Sequence, residues 1–223
     1  QKGKTVGEYQ LDKITGAAIK IATEPDTSEV TDESNTTGGD ADNTATTVDK
    51  RHIFVGDSRT VGLSNAMGCV SYDKLLQIRT EENLTEYYLA EVGSGYSWYS
   101  TKALPKLVKM LNENPAATVI LNHGINDLGN IDQYIASYQW LIRVYPNTKF
   151  VIMSVNPVNR KLYKGYAKPA NITVFNQKMQ AAFPNNFVNT YQYLQSMGFN
   201  TADGLHYDSL TYMNLYNYMQ PYL

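Results

Sequence analysis

Cysteine is nearly absent from this 223-residue chain, which holds only Cys69. One thiol excludes an intramolecular disulfide framework and any cysteine-rich zinc site. It does not fix the compartment, because a large secreted domain can do without disulfides. Histidine is scarce too, at positions 52, 123 and 206 only. No apolar run approaches the roughly 18 residues of a membrane span. The net charge is −2, and no Lys/Arg-rich run of the nucleic-acid-binding kind accompanies it. Several signatures are also missing: G-x-x-x-x-G-K-[ST], G-x-G-x-x-G, H-E-x-x-H and the G-x-S-x-G nucleophile elbow. Their absence argues against P-loop and dinucleotide sites, zincins and typical α/β-hydrolases.

The composition that remains is that of a folded domain with an unusual approach to it. Hydrophobic residues make up 43% of the chain, enough for a sizeable core. Residues 23–50 hold eight acidic side chains, eight Thr and one Lys, with almost nothing large and apolar. Such a stretch cannot bury enough surface to offset its ordering entropy, so a disordered linker is expected there. It would tether the domain to a wall or an upstream module. Residues 1–22 carry scattered apolar positions and read as a leader or a fragment of that module. No signal peptide is visible; since the chain starts at Gln1, its removal is expected, with an extracellular or cell-surface location. Residues 51–223 carry 14 Lys/Arg against 11 Asp/Glu and form the expected domain.

Short apolar runs alternate there with helical patterns. His52–Gly56, Tyr87–Val92, Ala117–Asn122, Lys149–Val155 and Phe187–Thr190 read as strands. They do not alternate apolar with polar, which suits strands covered on both faces. Between them, Leu104, Leu107, Val108 and Leu111 fall at helical spacing before Asn114-Pro115. Ile131, Tyr134, Ile135, Tyr138 and Ile142 do so before Pro146. Ile172, Phe175 and Met179 give a further face, and Leu210, Met213 and Tyr216 suggest a last helix. The alternation predicts a five-stranded parallel sheet between helical layers.

Ligands of such sheets bind at the carboxyl ends of the strands. Ser58 follows the first strand in Gly56-Asp57-Ser58 and would sit at a helix N-terminus, where backbone N–H groups favour an oxyanion. Taken alone, it reads rather as an N-cap, with Gly56 a turn residue. Gly93-Ser94-Gly95 follows the second strand and permits close backbone approach. Asn126 follows the third, with a side-chain N–H₂ pair. Asp203 and His206 lie three apart before the last helix. That spacing lets the carboxylate hold Nδ1–H and frees Nε2 for a serine. His52, at a strand start, reads as structural, and Cys69 as buried or incidental.

These residues bring the chain close to a known family. It resembles the SGNH (GDSL-like) hydrolases, and the bacterial carbohydrate-esterase type among them. The blocks are FVGDSRT (54–60), VGSGYS (92–97), HGIND (123–127) and DGLH (203–206), spread over residues 51–223. The resemblance implies a flavodoxin-like three-layer α/β/α sandwich. It implies Ser58 as nucleophile, His206 as base and Asp203 as orienter, with Asp57 in support. Ser58 N–H, Gly95 N–H and the Asn126 side chain would form the oxyanion hole. VGSGYS is the loosest match, so Gly93 stays open beside the preferred Gly95.

The implied activity is a serine esterase that uses no metal or cofactor and takes small acyl, above all acetyl, esters of a carbohydrate or cell-wall glycan. Trp98, Tyr96 and Tyr163 are the expected substrate contacts, since aromatic faces suit sugar rings. Arg160, Lys161 and Lys164 would suit a carboxylate or an anionic glycan. Two alternatives stay open: an extracellular O-acetyltransferase with the same triad, and a non-catalytic glycan-binding module.

Overall fold

A computed structural model of the chain describes residues 9–11, 18–20 and 50–223. The expected linker, apart from Lys50, and most of the segment before it lie outside the described residues. Tyr9–Leu11 (β1) and Ala18–Lys20 (β2) pair antiparallel, with Tyr9 opposite Lys20.

The body begins at Lys50, in β3 (Lys50–Gly56). It continues through α1 (Ser58–Ala66), β4 (Val70–Ser71), β5 (Leu76–Glu81) and β6 (Leu84–Ala90). Then come α2 (Tyr96–Trp98), one π-helical turn, α3 (Leu104–Glu113), β7 (Thr118–Asn122) and α4 (Ile131–Val144). The chain closes with β8 (Lys149–Met153), α5 (Pro169–Ala182), β9 (Phe187–Val188), α6 (Thr190–Met197) and α7 (Ser209–Met219).

The sheet order is β4-β5-β6-β3-β7-β8-β9. Five neighbours, β6-β3-β7-β8-β9, run parallel, which is the expected sheet. The strand count is larger than expected, because β5 and β4 add antiparallel to the β6 edge. Strand β5 reads LQIRTE, with apolar Leu76 and Ile78 alternating with Gln77 and Arg79. That period-2 signal is short and half polar, as suits an outer strand. A two-residue loop, Glu82-Asn83, returns the chain to β6, with Asn83 at φ 61°.

The three layers show in the side chains. Ile53 and Val55 of β3 pack on one face of the sheet and Phe54 on the other. Val119 and Leu121 of β7 divide from Ile120 in the same way. Successive strand residues point to opposite faces, so both faces are apolar. Helices α3, α4 and α5 cover the first face through Leu107, Tyr138 and Phe175. Helices α1, α6 and α7 cover the second through Leu63, Leu194 and Leu215.

Helix α7 forms where expected but buries another stripe. Leu210 and Met213 are exposed, while Tyr212, Leu215, Tyr216 and Met219 face the sheet. Its anchor is polar: the Tyr216 hydroxyl donates to the buried Glu86 carboxylate at 2.6 Å. Arg79 Nη1 and the Tyr88 hydroxyl donate to the same group, and His52 Nδ1 lies 3.6 Å away. His52 is thus part of the frame, as expected.

Because the five strands are parallel, β3, β6, β7 and β8 all end at one edge. The segments that begin at Asp57, Glu91, His123 and Ser154 therefore meet there. Among the described residues no helix is long and apolar enough to cross a membrane.

Candidate active site

Ser58 is the first residue of α1, and Asp57 caps the helix by accepting the Arg59 backbone N–H at 2.9 Å. At that position the Ser58 N–H has no intrahelical acceptor and is open to a ligand. Asp57 is fully buried, and desolvation pushes its carboxyl up to about 6 against the lowering pull of Arg59. Its place under the helix fits a supporting role and keeps it from the reacting edge.

His206 Nε2 lies 2.8 Å from Ser58 Oγ, and His206 Nδ1 lies 2.6 Å from Asp203 Oδ2. The other carboxylate oxygen, Oδ1, accepts the backbone N–H groups of Leu205 and His206, each at 2.8 Å. Burial would raise the Asp203 pKa. The His206 ring and those two N–H groups outweigh it and hold the carboxyl well below its usual range. Asp203 is therefore an anion throughout the working pH range. It holds the tautomer that leaves Nε2 bare to accept a proton from Ser58.

The candidate donors lie on the loops that follow β6 and β7. Asn126 Nδ2 donates one hydrogen to Ser94 O at 2.9 Å, which aims the amide and leaves its second hydrogen for a ligand. Gly95 caps α2 with extended backbone, φ −130°. A Cβ there would fall 2.6 Å from Asp127 Oδ2. That carboxylate is fully engaged, holding the Tyr96 backbone N–H, the Asn130 side chain and the Tyr134 hydroxyl. Gly95 thus packs against the group that fixes the loop. Gly93 has φ +77° and nothing within 4 Å of a built Cβ, so it acts as a turn residue. This geometry favours Gly95 over Gly93. Gly95→Ala is expected to displace Asp127 and lower kcat by about 10²- to 10³-fold, the cost of one oxyanion donor. Steady-state kinetics on a small ester would check it; unchanged kcat would show that the contact of Gly95 with Asp127 does not position the site.

His123 braces this half from below. Its Nε2 lies 3.3 Å from Ser94 Oγ, whose own proton goes to Gly56 O at 3.3 Å. Nε2 therefore carries the hydrogen and Nδ1 is bare. Nδ1 is buried with no partner among the described residues. A proton on it would be a buried charge without an acceptor, and burial pushes the His123 pKa down to about 3. Below an unfolded value of about 6.5, the unfolded chain binds a proton that the native state refuses. This group's stabilising contribution is complete above that pH and is lost as pH falls toward 3. The expected difference between wild type and His123→Gln in urea unfolding shrinks by about 2 kcal/mol from pH 7 to pH 5. Parallel pH curves would show that His123 titrates freely.

The expected substrate residues divide. Trp98 is half-buried beside the site, its ring 5.8 Å from that of His123 and its indole N–H donating to Glu91. Tyr163 is half-buried under Arg160, whose guanidinium lies 5.7 Å from the ring centre. Tyr96 requires correction. Its ring is buried, edge-on to Tyr134 at 5.1 Å, so it is a core residue that gives the site only its backbone. The periodic core stripe on α4 claims it. Cys69 is half-buried, and burial pushes its thiol up to about 12, so it stays protonated. No cluster of His, Cys, Asp or Glu able to hold a metal lies among the described residues.

Arg59 was not anticipated. It is 3% exposed, and its guanidinium donates to Leu205 O, Asn156 O and Pro157 O at 3.1, 2.7 and 3.0 Å. It also lies over the Tyr207 ring, 5.2 Å from its centre. One side chain thus ties the serine helix to the histidine loop and to the end of β8. Its place next to Ser58 was the only signal in the sequence.

Serine, histidine, carboxylate and the loops of Gly95 and Asn126 stand at the carboxyl edge of the parallel strands β6-β3-β7-β8-β9. The chain has the GDSL-type (SGNH) hydrolase fold. A Streptococcus pneumonia protein is 22% identical with a TM-score of 0.59, over 80% of this chain and 86% of that one. A lipolytic protein of the G-D-S-L family from Veillonella parvula is 12% identical with a TM-score of 0.56, over 77% and 97%. An acetyl xylan esterase, AlAXEase, is 17% identical with a TM-score of 0.50, over 77% and 98%. No family model and no curated protein matches the chain. The likeness to these SGNH-fold proteins is therefore one of architecture.

Proposed function

We propose that the protein is a serine ester hydrolase. The observation that carries the reading is the hydrogen-bonded chain Ser58 Oγ, His206 Nε2, His206 Nδ1, Asp203, with distances of 2.8 and 2.6 Å. In the first step, His206 Nε2 takes the Ser58 proton while Oγ bonds to the ester carbonyl carbon. The carbonyl oxygen becomes an oxyanion among Ser58 N–H, Gly95 N–H and Asn126 Nδ2. His206 returns the proton to the departing alcohol, leaving an acyl group on Ser58. Water then attacks that acyl-enzyme with His206 again as base, and the acid leaves.

The acyl group is small, by preference acetyl, and the alcohol is a glycan hydroxyl. Half-buried Trp98 at the site supports a sugar ring. One protein of the same fold is an acetyl xylan esterase, which supports the acetyl preference. The test is hydrolysis of p-nitrophenyl acetate, butyrate and octanoate, with phosphonate labelling read by peptide mass spectrometry. Acetate is expected to be fastest and the label to fall on Ser58. A label on another residue would overturn the mechanism, and an octanoate preference would overturn the acyl assignment.

A further inference from the structure

The loop from β8 to α5 carries Arg160, Lys161, Lys164 and Lys168 within nine residues. The three lysines are exposed. None of the four pairs with a carboxylate among the described residues. The surrounding chain sharpens the imbalance: residues 133–202 contain seven Lys or Arg and no Asp or Glu. Helix α5 starts at Pro169 and adds its N-terminal partial positive charge to the end of this loop.

The loop is fastened to the site at two points. Asn159 N–H donates to Gly204 O at 2.8 Å, between Asp203 and His206 in sequence. The Tyr166 hydroxyl donates to Ile125 O at 3.0 Å, next to Asn126. Gly204 has φ +82°, and a Cβ there would fall 2.3 Å from Tyr163 N, so the two loops touch along their backbones. Arg160 stiffens the loop from within by donating to Gly165 O at 2.9 Å and covering Tyr163. Asp203, Asp127 and Glu91 bond to His206, to Tyr96, Asn130 and Tyr134, and to Trp98, and none of them forms an ion pair with a cation of this loop. A cluster of exposed cations with no paired carboxylate raises the local concentration of anions.

We propose that this loop is a subsite for the anionic groups of an ester-bearing polymer, the carboxylates or phosphates of an acetylated acidic glycan; its catalytic half rests on the esterase reading above. Lys161, Lys164 and Lys168 hold the anions, and Arg160 positions the loop. Uncharged esters do not use the subsite.

The test compares wild type with Lys161→Ala/Lys164→Ala/Lys168→Ala on four substrates. These are p-nitrophenyl acetate, acetylated xylan, acetylated polygalacturonate and acetylated poly(glycerol phosphate). Loss of about tenfold in kcat/KM is expected on one or both anionic polymers at low salt, with the gap closing at 0.5 M salt. Loss on polygalacturonate alone would name carboxylate as the ligand, and loss on the phosphate polymer alone would name phosphate. Activity on p-nitrophenyl acetate and acetylated xylan is expected to stay within about twofold, since surface lysines touch neither. Equal wild-type and variant rates on both anionic polymers would overturn the subsite. Calorimetric binding of unacetylated polygalacturonate and poly(glycerol phosphate) to Ser58→Ala separates the two proposals. Salt-sensitive binding with no hydrolysis of any ester by wild type would keep the subsite and sink the esterase. Hydrolysis without such binding would do the reverse.

Discussion

Ser58→Ala is expected to lower kcat on p-nitrophenyl acetate by about 10⁴- to 10⁶-fold while leaving the melting temperature within a few degrees. The size follows from how a triad works: its members act as a unit, so removing the nucleophile removes nearly all of what the unit supplies. The fold should be indifferent, because Ser58 Oγ contacts His206 and the helix cap belongs to Asp57. His206→Ala should cost about as much, and the double variant little more than either. Asp203→Asn is expected to fall short of that, near 10⁴-fold, through the wrong imidazole tautomer. A residual acceleration over water should survive in each, supplied by the facing donors. Additive losses would mean that Ser58 and His206 do not work together.

Arg59→Met is expected to be the most damaging change outside the triad. The carbonyls of Leu205 and Asn156 would lose their donor, while Pro157 O would keep only the Tyr207 hydroxyl. At about 1–3 kcal/mol for each of the two orphaned acceptors, the loss of stability should reach about 2–6 kcal/mol. The loss of activity should exceed what unfolding explains. Leu205 adjoins His206, so freeing its carbonyl lets the base drift from Ser58, and about 1 Å of drift costs near 10²-fold in kcat. Arg59→Lys should not rescue either property, because an ammonium cannot reproduce a planar fork to three acceptors. Urea unfolding and kinetics well below the melting point separate the two effects. Wild-type kcat in a destabilised Arg59→Met protein would reduce Arg59 to a structural strut.

The blocks at 54–60, 123–127 and 203–206 were legible because their chemistry depends on local spacing. Asp203 and His206 share one tight turn, and three residues suffice to set their hydrogen bond. The parallel strands were legible for a similar reason, since β7 and β8 are apolar on both faces and few other structures bury such runs. The antiparallel pair β4–β5 was harder, since an outer strand such as LQIRTE hides its period behind polar residues. The buried stripe of α7 was ambiguous because apolar or aromatic residues in SLTYMNLYNYM fall on more than one face. Only the neighbours, Glu86 above all, decide which of them turn inward.

The sequence by itself determined the parallel sheet and the order of the blocks, and it singled out Ser58, Asp203 and His206 as candidates. Each of these rests on short-range periodicity or on residues a few positions apart. Tertiary structure alone decided the rest. It buried Tyr96, and it set Asp127 against Gly95 while leaving Gly93 in an open turn. It made Arg59 a clamp, and it brought the lysine loop to Gly204 and Ile125. All four depend on contacts between segments 30 to 150 residues apart. No local pattern encodes such a contact, because the partner is chosen by which strand ends the parallel sheet brings to the same edge.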